Sequence, residues 1–301
     1  MISHPLDLDH PLWQRWWPAP AKINRFLHIV GRRENGYHEL QSVFQYLEFA
    51  DELQFTPTAA PKIKLTTQLE GVRNDDNLIV KAASLLQPYR SAKQAKAGLN
   101  IQLKKNLPMG AGLGGGSSDA ATTLLFLNKA WGLGFSLQQL ATIALPLGAD
   151  IPFFILGQNA FVEGIGEKIT PISLDNHWLL LLIPPCQIST PKIFSHQLLT
   201  RNTEIIKIRD LATMDSKICL NHFGRNDCEA VVCQEYAEVA EAKNWLNQYQ
   251  IARLTGTGAC VFAMFDNERE VRTIATRCPA KFKPLVTRSM NSSTIHPLLD
   301  D

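Results

Sequence analysis

The stretch Pro108–Ala121, PMGAGLGGGSSDAA, constrains this chain more than any other. Five of the seven positions from Gly110 to Gly116 are glycine, and Ser117-Ser118 then open a run rich in alanine and leucine that reads as a helix to Trp131. Glycine adopts backbone angles closed to other residues and lets the main chain lie directly against a ligand. A loop of this kind points several N–H groups at one anion. The start of the following helix adds its own unpaired N–H groups and about half an elementary positive charge. The combination predicts a phosphate-binding loop. A flexible linker of the same composition would not be wedged between a strand pattern and a helix pattern.

Other phosphate loops fail on context. Gly110, Gly112 and Gly115 satisfy G-x-G-x-x-G, but the dinucleotide fold wants an acidic residue about twenty positions on to hold the ribose. No Asp or Glu lies between Asp119 and Asp150, and that span reads as helices. No lysine follows the glycines as a Walker A loop requires, and the H-R-D and D-F-G strings of protein kinases are absent. His38-Glu39 begins like a zinc-binding H-E-x-x-H, but position 42 is serine.

At 301 residues the chain is expected to hold two domains with ample material for a core, at 45% apolar and 19% charged residues. A formal net charge of +2 without a long basic run argues against nucleic acid and membrane surfaces as partners. Cys186, Cys219, Cys228, Cys233, Cys260 and Cys278 form no C-x-x-C pair, which disfavours zinc and redox sites and reads as reduced thiols of a cytoplasmic protein. The start of the chain lacks the pattern of a secretion signal, and the apolar run Trp178–Ile183 is too short to span a membrane.

Along the chain, residues 1–17 read as a tail whose Trp13, Trp16 and Trp17 pack on the surface. Phe26–Val30 predicts a strand, with Asn35-Gly36 turning it into a second over Gln41–Phe49. Ile63–Leu69 and Leu99–Leu103 alternate as strands, and Asn77–Leu86 and Ser136–Leu147 have helical spacing. Phe161–Glu167 reads as a hairpin and Trp178–Ile183 as a buried strand. Pro191–Leu199 and Glu229–Tyr249 read as helices, and Ile251–Phe265 as two strands about the turn Thr255–Gly258. This irregular order predicts an α+β fold rather than a βαβ repeat.

Three motifs in order, Pro18-Ala-Pro-Ala-Lys22-Ile-Asn24, the glycine loop, and Leu254-Thr-Gly-Thr-Gly-Ala-Cys-Val-Phe262, resemble the GHMP kinase superfamily of small-molecule kinases. The triple glycine before Ser117-Ser118, with Gly36-Tyr-His-Glu-Leu-Gln41 and Leu147-Gly-Ala-Asp-Ile-Pro152, narrows the likeness. The tail at 1–17 precedes the first motif; beyond it the resemblance implies an ATP-binding domain over 18–165 like the second domain of ribosomal S5, and a ferredoxin-like substrate domain over 166–301. It implies ATP and Mg²⁺ as cofactors and transfer of the γ-phosphate to a 2-hydroxyl of a small cytidyl-bearing substrate, in the non-mevalonate route to isoprenoid precursors. The oligomeric state stays open, a homodimer among the options.

The same resemblance assigns roles. Asp150 matches the catalytic aspartate; read alone, an aspartate beside glycine caps or turns a helix. Lys22 matches the active-site lysine, an ammonium that keeps the carboxylate ionised. Pro108, Met109, Gly110, Ala111, Gly112, Leu113, Gly114, Gly115, Gly116, Ser117 and Ser118 are expected to hold ATP. Either serine contacts a phosphate or Mg²⁺, or caps the helix. Asn77 lies near the adenine by analogy or caps its own helix. Tyr37, His38 and Phe194 match residues that recognise the cytidine, with Asn24 and Thr190 placing the substrate. No dedicated protein metal ligand is assigned.

Overall fold

The computed structural model describes residues 4–92, 94–207 and 223–300, and Cys219 lies outside them. Two long antiparallel strands form its spine, β1 (Trp17–Arg32) and β2 (His38–Thr58), paired from Trp17↔Leu53 to Arg32↔His38. Their connection turns at Gly36, where φ is +87°. The register shifts between Pro20 and Lys22 and again between Asn24 and Leu27. Such bulges re-aim side chains along a strand, and here they bracket Lys22 and Asn24.

β2 is the hub of the sheet. It pairs with β4 (Gly98–Lys104), whose far edge carries the parallel β3 (Ile63–Leu65), and with β5 (Ala160–Gly164), which forms a hairpin with β6 (Lys168–Pro171). Four helices cover it: α1 (Leu78–Leu86), α2 (Gly115–Ala130), α3 (Leu137–Ala144) and α4 (Ile151–Leu156). The core between them is built on Trp17, Phe55, Phe126 and Phe153, with the Phe55 and Phe126 rings stacked at 4.5 Å.

The second core lies against β7 (Trp178–Ile183), β8 (Arg253–Leu254), β9 (Val261–Phe265) and β10 (Lys283–Met290). It is covered by α5 (Thr190–Ser195), α6 (Glu229–Glu235), α7 (Ala237–Leu246) and α8 (Glu268–Ala275). β10 joins the halves, pairing Ser289 with Leu47 and Met290 with Tyr46 on β2. α9 (Ile295–Asp300) then returns to the first core through Ile295. The mixed order of strands and helices is the expected α+β class.

Several expectations are corrected. Trp13 and Trp17 are buried against Phe126 rather than laid on the surface; their indole N–H groups donate to the carbonyls of Asp7 and Leu12, so burial strands no polar group. The helix read over Glu229–Tyr249 breaks at Tyr236, which takes extended angles between α6 and α7. The helix read over Ser136–Leu147 starts from a capping box of Ser136 and Gln139 and ends at Ala144, where Leu145–Leu147 tightens into a 3-10 turn around Pro146. Helix α4 and the elements beyond residue 265 carried no reading. Among the described residues β6 pairs with β5 alone, on the sheet of the first half.

Candidate active site

The glycine loop is folded by alternation. Gly110, Gly112 and Gly114 take φ of +66°, +75° and +71°, while Ala111 and Leu113 between them are buried as plugs beside Ala21, Ile23 and Phe262. The carbonyls are used inward: Ala111 accepts from Cys260 N, Gly112 from the Thr255 hydroxyl, Leu113 from Lys22 N and Gly114 from Ser118 N. From Gly112 to Ser117, no N–H group has an acceptor among the described residues. Gly114 begins α2 without a side-chain cap, so the first-turn N–H groups and the helix dipole are left for an anion.

Beneath the loop, Lys105 Nζ lies 2.5 Å from Asp51 and 3.1 Å from Asp119. Asp51 also accepts the N–H groups of Asn106 and Leu107 at 2.7 Å each. Asp119 Oδ1 has no partner, and burial, reinforced by Asp51, pushes its carboxyl up to about 8 against the pull of Lys105. The contact with Lys105 alone would suggest two ionised carboxylates. Burial outweighs that contact, and Asp119 holds a proton at neutral pH.

Lys22 emerges from the β1 bulge into the wall of a cleft of about 660 Å³. Its ammonium donates to Asn24 Oδ1 at 2.7 Å, sits 4.6 Å over the Phe44 ring and lies 3.4 Å from Asp150 Oδ2. Asp150 stands at the start of α4, yet its side chain makes no capping hydrogen bond. Asn24 is fixed in turn: its backbone N–H donates to the Thr255 hydroxyl and its amide to Ser42.

The far end of the cleft is aromatic. The His38 and Phe194 rings lie 5.1 Å apart at 30°, and Tyr37, 60% exposed, stands at the rim. Burial, with Arg201 and Arg32 nearby, holds the His38 imidazole below its usual pKa. Thr190 shares a 2.8 Å hydroxyl contact with Thr257, tying α5 to the Thr255–Gly258 turn.

Lys22, Asn24, Tyr37, His38, Gly112, Gly114, Asp150, Thr190 and Phe194 therefore line one cleft. The outer loop residues differ. Met109, Gly110 and Gly116 are exposed, Pro108, Gly115 and Ser117 half-buried, and the Ser118 hydroxyl is committed to Pro20 O at 2.7 Å. Asn77 caps α1 by accepting Ile79 N at 2.8 Å and does not line this cleft. Thr255 and Arg201 were missed: the first sits inside the third motif as a plain turn residue, and the second is a lone arginine with no spacing to mark it.

The family described as GHMP kinases N terminal domain matches residues 77–158, and the one described as GHMP kinases C terminal matches residues 202–284. Over 94% of this chain, 4-diphosphocytidyl-2-C-methyl-D-erythritol kinases from Pseudoalteromonas atlantica and Marinobacter nauticus are 44% and 48% identical, over 96% and 97% of their own lengths. A crystal structure of 4-(cytidine 5'-diphospho)-2C-methyl-D-erythritol kinase, 28% identical, superposes with a TM-score of 0.77 over 91% of this chain and 99% of that one. The Methanococcus jannaschii mevalonate kinase, at 15% identity, shares the fold with a TM-score of 0.64 over 92% of this chain and 99% of its own. With its motifs in order, its loop folded and its relatives matched nearly end to end, this chain belongs to the GHMP kinases, on the branch of the 4-diphosphocytidyl-2-C-methyl-D-erythritol kinases.

Proposed function

We propose that this chain transfers the γ-phosphate of ATP to the 2-hydroxyl of 4-diphosphocytidyl-2-C-methyl-D-erythritol, in the cytoplasm, in the making of isoprenoid precursors. One observation carries the reading: a single cleft has the Lys22–Asp150 pair and the glycine loop at one end and the His38–Phe194 ring pair at the other. An acceptor with a reacting hydroxyl at one end and a pyrimidine at the other fits that polarity.

The substrate oxygen attacks the γ-phosphorus, the bond to the ADP oxygen breaks, and the hydroxyl proton passes to the Asp150 carboxylate. Lys22 offsets the negative charge gathering between Asp150 and the phosphoryl group. The unpaired N–H groups of Gly112–Ser117 hold the phosphates. Asn24 and Thr190 orient the substrate, Tyr37 closes the rim over the base, and the Asn77 amide nitrogen is left for the adenine.

Among the described residues, no group of three or more His, Cys, Asp or Glu side chains could hold a metal ion. Mg²⁺ commonly binds through substrate phosphates and one or two protein oxygens. The Ser117 hydroxyl fits that need, and the committed Ser118 hydroxyl does not. When bound, Mg²⁺ supplies charge neutralisation on the phosphates.

The test is ADP release with ATP and Mg²⁺, comparing the cytidyl substrate with methylerythritol phosphate, homoserine, mevalonate and galactose. Turnover with the cytidyl compound alone is expected. Turnover with another alcohol instead would overturn the substrate assignment. Bound ATP with no ADP from any of them would overturn the kinase reading.

A further inference from the structure

We propose that Arg201 sets which pyrimidine the cleft accepts, by fixing the tautomer of His38 and the position of the Phe194 ring. The inference rests on the reading of this cleft as a cytidyl pocket. Arg201 Nε donates to His38 Nε2 at 3.0 Å. A guanidinium has five donors and no acceptor, so Nε2 must offer its lone pair and the neutral ring carries its proton on Nδ1. Burial and the neighbouring positive charges of Arg201 and Arg32 disfavour the imidazolium form. His38 lines the cleft, and its Nδ1 has no partner among the described residues. The cleft thus holds a fixed N–H donor at Nδ1.

The donor is rigid because its holder is. Three of the remaining Arg201 N–H groups donate to the carbonyls of Leu199 at 3.0 Å, Phe194 at 3.0 Å and His196 at 2.8 Å. One guanidinium therefore grips both the histidine edge and the backbone that carries Phe194. Without it, the imidazole is free to exchange its proton between nitrogens and accept a hydrogen bond where it now donates.

Cytosine presents an acceptor at N3, whereas uracil presents an N–H there. A fixed donor opposite N3 pairs with cytosine and meets a second donor in uracil. In a desolvated pocket, a donor left without its acceptor discriminates strongly. Arg201 is a positioning residue, acting through His38 rather than on the substrate.

The experiment compares kcat/KM for the cytidyl substrate and its uridyl analogue in the wild type, Arg201→Met and Arg201→Lys, with the ¹⁵N spectrum of His38 read in each. In the wild type, the cytidyl substrate is preferred and Nδ1 is the protonated nitrogen. In Arg201→Met, the preference falls by about tenfold or more, through a higher KM for the cytidyl substrate rather than through kcat, and the two nitrogens average. Arg201→Lys, which restores a donor without an acceptor, recovers part of the preference and the Nδ1–H signal, and decides the matter if Arg201→Met does not fold. An unchanged preference in both variants overturns the proposal, as does a wild-type His38 protonated on Nε2. Equal wild-type use of both pyrimidines overturns it while leaving the kinase reading intact, and use of neither overturns both.

Discussion

Asp150 Oδ2 lies 3.4 Å from Lys22 Nζ, and the two partners are unequally buried: the lysine side chain is 4% exposed and the aspartate 33%. The cation is the fixed member, pinned by Asn24 and Phe44, and the carboxylate is the one a ligand reaches. That asymmetry suits a base which must meet a hydroxyl. Asp150→Asn keeps the shape and removes the proton acceptor. Turnover is expected to fall by roughly 10² to 10⁴, with ATP affinity nearly unchanged in a nucleotide titration. Unaltered turnover would remove Asp150 from the chemistry.

Phe194 gives its ring to the cleft beside His38, with Tyr37 at the rim. Stacking of a base on an aromatic side chain is worth about 1–3 kcal/mol. Phe194→Ala should therefore raise KM for the cytidyl substrate about 5- to 150-fold, while KM for ATP stays level. A change confined to ATP would show that the base binds elsewhere.

The readable parts of this chain were those whose residue type is forced by local geometry. The glycine loop declared itself because φ above zero at alternate positions leaves few other choices. The Asn35-Gly36 hairpin and the alternating strands were legible for similar reasons. The role proposed for Asp150 was legible only through likeness, since a lone aspartate before a helix looks like a cap until its side chain is seen making no cap bond. Arg201 and the burial of Trp13 and Trp17 could not be read at all. Both depend on partners far along the chain, His38 in one case and Phe126 in the other, and no local spacing encodes such contacts.

Gly112 and Gly110 share positive φ but differ in surroundings. A Cβ on Gly112 would stand 2.1 Å from the Thr255 carbonyl oxygen, a backbone atom that cannot swing aside. At Gly110, nothing lies within 4 Å. Gly110→Ala then costs only the left-handed conformation, about 1–2 kcal/mol. Gly112→Ala must also push the loop away from the Thr255 turn. The expected result is a modest fall in melting temperature for the first, and for the second a larger fall with ATP affinity down by about tenfold or more. Equal effects at the two positions would mean that the loop does not need its contact with Thr255.

The pair of carboxylates under the loop gives a prediction whose sign turns on pH. Asp119 holds its proton up to about pH 8, whereas an unfolded aspartate releases it near 4. Between those values the unfolded chain binds fewer protons than the folded one, so this group's contribution to stability falls as pH rises. Asp119→Asn has no such slope. Its melting temperature should approach and then exceed that of the wild type as pH is raised from about 4 to 8. Asp51→Asn is the opposite case. It leaves Lys105 without its close partner at 2.5 Å and weakens the acceptor of the Asn106 and Leu107 N–H groups. Breaking a buried pair in this way costs about 3–5 kcal/mol, and the loss should persist across the whole range. Parallel pH curves for the wild type and Asp119→Asn would show Asp119 to be ionised in the fold, with the lysine shared evenly between the two carboxylates.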